Sequence, residues 1–248
     1  MKVGWRQCVV DGRSVRYFQR GTGEDIVLVH GLGLAAGHWG AHMHRLARSG
    51  YRVTAPDLPG FGRSAGPRTG MSVPATAAWL DRFAERAGIQ RAAWVGHSIS
   101  CQALLTLAAT RPARVGALVL AAPTGQGRGA SRIGRQLVGL TRDAFHERPG
   151  LVARVVRRYF RAPVAILGTW LRARWDNPTV VATAVHAPAL IVLGQEDPMV
   201  EEGFARRLAA ALPSATITRL AGAAHAVALD PHRPFCDTIV AFLRDLEN

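Results

Sequence analysis

"AAWVGHSISCQALL", residues 92–105, passes from one apolar run to another through a single sharp break. The first half is typical of a buried strand and the second half of a helix, with Ser98 at the turn between them. Such a turn forces its apex residue into strained backbone geometry, which lifts the side-chain hydroxyl clear of the sheet. Gly96 and Ser100, two positions either side, are small, as residues must be where a strand and a helix nearly touch. The stretch therefore predicts a strand–turn–helix unit that presents a serine.

The rest of the chain alternates between apolar strands and helices. Most of the later strand-like runs are continuously apolar, which is typical of strands buried on both faces of a parallel sheet. Repeated β–α crossovers predict the α/β class, with a mostly parallel eight-stranded sheet and helices on both faces. The first two strands, joined across 11–13, predict an antiparallel hairpin. The predicted strands are 5–10, 14–20, 25–30, 52–57, 92–97, 116–123, 189–194 and 215–220, and the predicted helices are about 38–49, 72–87, 99–110, 200–211 and 232–246.

One segment interrupts this alternation. Roughly sixty residues separate the strand that ends near Pro123 from the next strand, far more than one crossover helix needs. They begin with a glycine-rich stretch and continue with helical, arginine-rich sequence. An insertion at the carboxyl end of a strand lies where α/β proteins bind ligands. We predict a core formed by residues 1–123 and 186–248, with a helical lid over 124–185.

A serine hydroxyl becomes a good nucleophile when a base takes its proton and a carboxylate orients that base. Asp197 follows a buried strand, and His225 lies in a glycine- and alanine-rich loop after the last strand. Both positions fall at the predicted carboxyl edge of the sheet, and both follow Ser98 in the order serine, acid, histidine. These three residues are the predicted catalytic group. His232 is a less favoured base because it begins the predicted final helix.

Five motifs occur in a recognisable order and spacing. They are HGLG at 30–33, DLPGFGRS at 57–64, GHSIS at 96–100, GQEDPMV at 194–200 and GAAHAVALDP at 222–231. Together they resemble the landmarks of the α/β-hydrolase superfamily, and the resemblance covers essentially the whole chain apart from the lid. It implies that Ser98 is the nucleophile, His225 the base and Asp197 the acid that orients it.

The resemblance also implies an oxyanion hole and a substrate pocket. The backbone N–H groups of Leu32 and Ile99 are the implied oxyanion donors. The sequence departs from the family at Ser100, where the motif ordinarily has glycine. Phe160 and Trp170 have a second interpretation as part of the core of the lid. His30 and His97, which flank the implied oxyanion hole, have a second interpretation as structural hydrogen-bonding groups. The candidate pocket residues are His30, His97, Phe160, Trp170 and Val200.

Two other kinds of site match parts of the sequence less well. GLGLAAG at 31–37 resembles a dinucleotide-binding loop, but its glycine spacing is one residue too long. His38, His42 and His44 are spaced to approach a zinc ion, but no nearby carboxylate or cysteine completes the ligand set. We therefore predict neither a metal site nor an organic cofactor.

The charge of the chain is strongly basic. The formal net charge is +14, and residues 128–174 contain eleven arginines against two acidic residues. One interpretation is a surface for acidic partners, such as coenzyme A, an acidic carrier protein or an anionic lipid. The other is a preference for arginine that runs through the whole chain. No nucleic-acid-binding module accompanies the charge, so no nucleic-acid partner is expected.

Sequence features that address the compartment all indicate the cytoplasm. The longest apolar runs are too short for a transmembrane segment. The first twenty residues lack the apolar region of a secretory signal. Three scattered cysteines do not form a disulfide framework.

Taken together, the motifs imply a serine hydrolase that acts on a small-molecule acyl substrate. A carboxylic ester, cleaved through an acyl-enzyme on Ser98, is the expected substrate. A serine nucleophile argues against epoxide hydrolase and haloalkane dehalogenase chemistry, which use an aspartate. Thioesterase or acyltransferase activity, C–C bond hydrolysis and a hydroxynitrile-lyase-like reaction employ the same residues and stay open.

Overall fold

The computed structural model describes residues 4–125, 162–228 and 234–247. In this part of the chain, eight strands form one sheet in the order β1-β2-β4-β3-β5-β6-β7-β8. Strand β2 runs antiparallel to both of its neighbours, β1 and β4, and all the remaining strand pairs are parallel. The predicted α/β fold with a mostly parallel sheet is confirmed. The strands are β1 (Gly4–Val10), β2 (Arg13–Arg20), β3 (Asp25–Val29), β4 (Arg52–Pro56), β5 (Ala92–His97), β6 (Val115–Ala121), β7 (Ala189–Gly194) and β8 (Ala215–Leu220).

Helices pack on both faces of the sheet. Within the central strand β3, Val27 and Val29 contribute to one apolar core, whereas Ile26 and Leu28 contribute to the other. This alternation follows from the two-residue period of a strand, and it explains why the strand sequences are continuously apolar. The helices are α1 (Gly40–Arg48), α2 (Val73–Arg86), α3 (Ser100–Thr110), α4 (Pro163–Ala173), α5 (Pro178–Ala182), α6 (Glu202–Ala211) and α7 (Phe235–Asp245), with short 3-10 turns at Ala36–Trp39 and Pro112–Arg114.

The first two strands form the expected hairpin. Asp11 and Gly12 connect them with φ angles of 52° and 71°. Two successive residues in the left-handed region give the turn that matches the right-handed twist of paired strands, and Asp-Gly is a favoured pair for it. The antiparallel hairpin is therefore explained by its turn residues.

Part of the predicted lid, 124–185, lies outside the described residues, so its division from the core stays a prediction. Helix α4 of this segment contacts the core loop that precedes α2. The backbone N–H of Met71 donates to Thr169 Oγ1 at 3.2 Å, and Arg172 Nη1 donates to the Thr69 carbonyl at 2.7 Å. A Cβ on Gly70 or Gly168 would overlap the opposite segment, so the two glycines allow this close approach. These contacts fix α4 against the core.

A helix that crosses a bilayer needs about 20 consecutive, predominantly apolar residues. None of the helices in 4–125, 162–228 and 234–247 is long and apolar enough to cross a bilayer.

Candidate active site

Ser98 lies at the apex of the turn between β5 and α3. Its φ angle is 57°, in the left-handed region that non-glycine residues rarely adopt, and its backbone N–H donates to the Ala121 carbonyl at 2.8 Å. A Cβ on Gly96 would lie 2.8 Å from Leu104 Cδ1 and 3.2 Å from the Cys101 nitrogen. Strand and helix therefore approach each other as closely as the sequence predicts, and the backbone holds Ser98 in its turn.

The structure brings Ser98, His225 and Asp197 together from three separate loops. His225 Nε2 lies 3.0 Å from Ser98 Oγ, and His225 Nδ1 lies 3.0 Å from Asp197 Oδ2. An ionised carboxylate only accepts hydrogen bonds, so Nδ1 carries the ring proton and Nε2 accepts from the serine hydroxyl. The side chains of His225 and Asp197 are 9% and 2% exposed, so water screens their interaction little. This arrangement is able to move a proton from the serine to the imidazole.

Two backbone donors and the imidazole keep Asp197 ionised. Burial alone would raise its pKa, but attraction to His225, the hydrogen bond from that ring and two backbone N–H donors lower it below its usual value. The donors are the N–H groups of Met199 and Val200, which lie 2.7 Å and 3.2 Å from Oδ1. Val200 was predicted as a pocket residue, and its backbone N–H contributes to the orientation of the acid.

Backbone contacts between the two loops that follow β7 and β8 fix the separation of acid and histidine. The Glu196 N–H donates to the Ala223 carbonyl at 2.9 Å. Gly194 lies so close to the carbonyl oxygens of Ala223 and Ala224 that a Cβ there would overlap them. The glycine at the end of β7 is therefore required for the loop of His225 to approach the loop of Asp197.

His97 supports His225 from below. It is 4% exposed, and its Nε2–H donates to the His225 carbonyl at 3.0 Å. Burial, together with the neighbouring His225, lowers the pKa of His97 to about 3, so its ring is neutral near pH 7. His97 was predicted as a possible pocket residue, and the structure shows it as a buried hydrogen-bonding partner of the histidine loop.

His30 and Ser100 hold the loop that follows β3. His30 is fully buried; its Nδ1–H donates to the Gly31 carbonyl at 2.9 Å, and its Nε2 accepts from the Leu58 N–H at 3.0 Å. The Ser100 hydroxyl donates to the His30 carbonyl. Sequence reasoning did not assign this role to Ser100, although its departure from the family's glycine was the available signal. A Cβ on Gly31 would lie 3.5 Å from Ser98 Cβ, so this loop lies directly against the serine.

An apolar cleft opens beside this loop. Leu32 and Ile99 both line it, and among the described residues neither of their backbone N–H groups donates a hydrogen bond. The volume of the cleft, including the part open to solvent, is about 450 Å³. The lining is Gly31, Leu32, Leu58, Pro59, Phe61, Met71, Val73, Thr76, Ile99, Ser100, Ala103 and Thr169.

Of the predicted pocket residues that the structure describes, none is in the lining of this cleft. Its lining contains Thr169 from α4 but not the adjacent Trp170, because Thr169 is on the side of the helix that contacts the core loop. Phe160 lies outside the described residues. The buried positions of His30 and His97 separate both rings from the cleft surface. Most of the lining residues that the sequence analysis did not select lie on the loop after β4 and at the start of α2, namely Leu58, Pro59, Phe61, Met71, Val73 and Thr76.

The histidines considered as zinc ligands do not converge. His42 is buried, His44 is exposed, and His38 Nδ1 donates to the Ala35 carbonyl at 2.7 Å. Within the part of the chain that the structure describes, no group of three or more histidine, cysteine or acidic side chains is arranged to hold a metal ion.

The comparison with known families agrees with this architecture. The family model described as "Alpha/beta hydrolase family" matches residues 26–238 of the 248-residue chain. The protein therefore belongs to the α/β-hydrolase family.

Two curated relatives match part of this chain. The dihydrolipoyllysine-residue acetyltransferase component of the acetoin cleaving system of Cupriavidus necator is 38% identical over 119 residues, which are 48% of this chain and 32% of that protein. A 2-hydroxy-6-oxononadienedioate/2-hydroxy-6-oxononatrienedioate hydrolase of Burkholderia vietnamiensis is 40% identical over 124 residues, 45% of this chain and 41% of that protein. The matched stretches thus span less than half the length of these curated relatives.

Solved structures share the fold at low sequence identity. A thermophilic esterase from Thermogutta terrifontis superposes with a TM-score of 0.84 at 19% identity, and the match covers 99% of this chain and 100% of that one. At this identity the likeness concerns the fold alone.

Proposed function

We propose that this protein is a serine hydrolase that cleaves a carboxylic ester through an acyl-enzyme on Ser98. The observation that carries the proposal is the continuous hydrogen-bonded path from Ser98 Oγ through the His225 ring to Asp197, with 3.0 Å at each step. A serine, an imidazole and a buried carboxylate in this order form a nucleophile with its base and the group that orients the base.

In the proposed reaction, His225 Nε2 takes the proton from Ser98 Oγ as the oxygen attacks the ester carbonyl. The N–H groups of Leu32 and Ile99 bind the oxyanion, which in comparable sites is typically worth ~3 kcal/mol for each donor. The imidazolium, stabilised by Asp197, then protonates the departing alcohol. A water molecule, deprotonated by His225, attacks the acyl-enzyme and releases the acid with Ser98 restored.

The cleft supports an apolar acyl or alcohol group as the part of the substrate beside the oxyanion donors. Leu58, Phe61, Met71 and Val73 supply most of its aliphatic and aromatic wall. Such walls gain free energy by removing apolar substrate surface from water, at ~25 cal/mol per Å². A small, uncharged ester is therefore the proposed substrate class.

Covalent labelling tests the nucleophile directly. A fluorophosphonate probe reacts with activated serines, so the wild-type protein should be labelled and Ser98→Ala should not. Thr106→Ala removes a hydroxyl that bonds only within helix α3 and should be labelled like wild type. If Ser98→Ala is labelled as fast as wild type, or if it retains turnover of every ester in a panel of p-nitrophenyl esters, the acyl-enzyme proposal is wrong.

C–C bond hydrolysis is a second candidate, because the Burkholderia vietnamiensis relative bears the name of such a hydrolase and shares 40% identity over 124 residues. The same serine, histidine and aspartate would serve that reaction. A vinylogous 1,5-diketone substrate, followed by its absorbance, separates the candidates: faster turnover of the diketone than of p-nitrophenyl butyrate would replace the ester proposal with this one.

Acyl transfer is a further alternative, raised by the name of the Cupriavidus necator relative and by the arginine-rich lid sequence. Ester turnover that accelerates on addition of coenzyme A, with formation of a thioester, would favour acyl transfer over hydrolysis.

The division into core and lid and a cytoplasmic location are also part of the proposal. The three cysteines support that setting because all are free thiols.

A further inference from the structure

Helix α4 carries an apolar stripe on its outer side. Val164, Leu167 and Leu171 recur at three- and four-residue intervals, and Trp175 continues the series just past the end of the helix, so the four side chains share one face. Their exposed fractions are 61%, 55%, 37% and 57%, respectively. We call these four residues the outer stripe.

The opposite side of α4 already has its partners. Ala165, Ile166 and Ala173 are buried against the core, and Thr169 lines the cleft. The hydrogen bond from the Met71 N–H to Thr169 Oγ1 fixes the side of the helix that faces the core loop. The helix therefore has two apolar sides, and packing against the core accounts for only one of them.

The outer stripe is a concentration of exposed apolar surface rather than scattered residues. Of the eight large apolar side chains that are exposed in the described residues, five lie between 164 and 180. Single exposed apolar residues are ordinary on a protein surface, whereas a contiguous group marks a contact with a membrane or another molecule.

Positive charge borders the stripe. At about 100° of rotation per residue, Arg172 and Arg174 lie on opposite sides of it. Arg172 is exposed, and its Nη1 donates to the Thr69 and Gly168 carbonyls, which leaves its Nε and Nη2 groups for a further partner. The Arg174 guanidinium lies 4.7 Å from the centre of the Trp175 ring. From 163 to 175 the sequence contains no acidic residue, and the next one, Asp176, is partly buried. The stripe therefore combines an apolar centre with a cationic border.

We propose that the outer stripe, with Arg172 and Arg174, is a docking surface for an anionic lipid bilayer. Apolar side chains enter the acyl region while the arginines meet lipid phosphates, which is the binding mode of interfacial amphipathic helices. A bilayer fits better than an acidic protein surface because it offers apolar depth directly beneath a layer of negative charge. At eleven residues, α4 is too short to span the membrane and lies in its plane. This inference does not depend on the proposed ester hydrolysis.

Co-sedimentation with vesicles tests the surface. The wild-type protein should bind vesicles of equimolar phosphatidylcholine and phosphatidylglycerol, and should bind pure phosphatidylcholine more weakly. The double variant Leu167→Ser/Leu171→Ser should lose at least about ten-fold in partition coefficient, because two apolar side chains no longer enter the bilayer. Val9→Ser is the matched control, since Val9 is 57% exposed on β1, away from α4. Arg174→Gln should weaken binding to the anionic vesicles only.

Thiol accessibility tests whether the stripe itself meets the lipid. In a Cys8→Ser background, Leu167→Cys should react quickly with a thiol reagent in solution and slowly with anionic vesicles present. Slow reaction without vesicles would show that protein covers the stripe, either another part of this chain or a second copy, and would overturn the proposal. So would a double variant that binds vesicles like wild type, or a wild-type protein that binds no vesicle.

Discussion

The hydroxyl of Ser100 donates a hydrogen bond to the backbone carbonyl of His30, seventy positions earlier in the chain. His30 is buried and directly follows β3, at the start of the loop that carries Leu32. The bond ties the first residue of α3 to that loop. A glycine at position 100, as in the family motif, would leave this carbonyl without the hydroxyl.

Ser100→Ala should therefore destabilise the protein and loosen the loop that carries Leu32. Leaving a buried carbonyl without its partner costs about 1–3 kcal/mol of unfolding free energy. On the proposed mechanism, kcat for esters should fall by up to about a hundred-fold with little change in KM, because loop position affects the transition state most. Urea denaturation and steady-state kinetics measure both effects.

Thr106→Ala is the control for that prediction. Thr106 Oγ1 also donates to a backbone carbonyl, that of Gln102, but within the same helix, where the carbonyl has its helical partner. Its loss should cost below about 0.5 kcal/mol. Equal losses for Ser100→Ala and Thr106→Ala would contradict the role assigned to Ser100.

Asp197→Asn should reduce kcat/KM for esters by about three to four orders of magnitude, as loss of the orienting carboxylate does in comparable serine enzymes. An amide does not stabilise the imidazolium, and it favours the wrong tautomer of His225. Asp237→Asn provides the control, because Asp237 is an exposed partner of Arg45 on the surface. A rate for Asp197→Asn within ten-fold of wild type would remove Asp197 from the mechanism.

His97 should make the protein sensitive to acid. Its pKa is about 3 in the folded state, whereas an unfolded histidine has its ordinary value of 6.5. Between these values the unfolded chain binds a proton that the folded chain excludes, so the unfolding free energy falls as pH falls, by ~1.4 kcal/mol per pH unit from this group. Denaturant unfolding between pH 7 and pH 4 measures the slope.

His97→Gln should flatten that pH dependence by about the same ~1.4 kcal/mol per unit, even if the variant is less stable at pH 7. The exposed His44 supplies the comparison, since His44→Gln should leave the slope as in wild type. A wild-type slope in His97→Gln would show that other groups cause the acid sensitivity.

Gly194→Ala should displace the loop of His225. The added Cβ would overlap the backbone carbonyl oxygens of Ala223 and Ala224. Because these are backbone atoms, they are less able to move aside than the end of a flexible side chain. We expect a loss of about 3 kcal/mol in unfolding free energy and a slower reaction with the fluorophosphonate probe. Gly40→Ala, at a helix position with no atom within 4 Å of the new Cβ, should stay within about 0.5 kcal/mol of wild type. Thermal unfolding of the two variants distinguishes these outcomes.

The sequence pattern predicted the fold nearly to the residue where local signals were strong. Strands β5 and β7 begin and end as predicted, because both are buried and almost wholly apolar between Arg91 and Ser98 and between Pro188 and Gln195. The partly buried edge strand β8 also has the predicted bounds. The last helix has Pro234 as its N-cap and begins at Phe235, in agreement with the tolerance of proline at a helix start but not inside a helix. Strand order needed the structure, since β4 lies between β2 and β3.

Side-chain roles near the candidate site were predicted less completely. The sequence places Ser98, Asp197 and His225 at the same edge of the sheet, but the direction of a loop side chain depends on contacts with distant residues. His30 directly follows β3 and His97 ends β5, and both side chains are buried and bond to backbone groups. The contact of Thr169 with Met71 joins residues nearly a hundred positions apart, and no local pattern reports it.

The left-handed backbone of Ser98, with φ of 57°, sets folding against reactivity at one residue. A side chain in this conformation costs roughly 1 kcal/mol, which glycine would not incur. Ser98→Gly should thus melt at or above the wild-type temperature while being inert toward the probe. On the proposed mechanism, the side chain that costs this stability is also the one that reacts, so Ser98→Gly would separate the two properties.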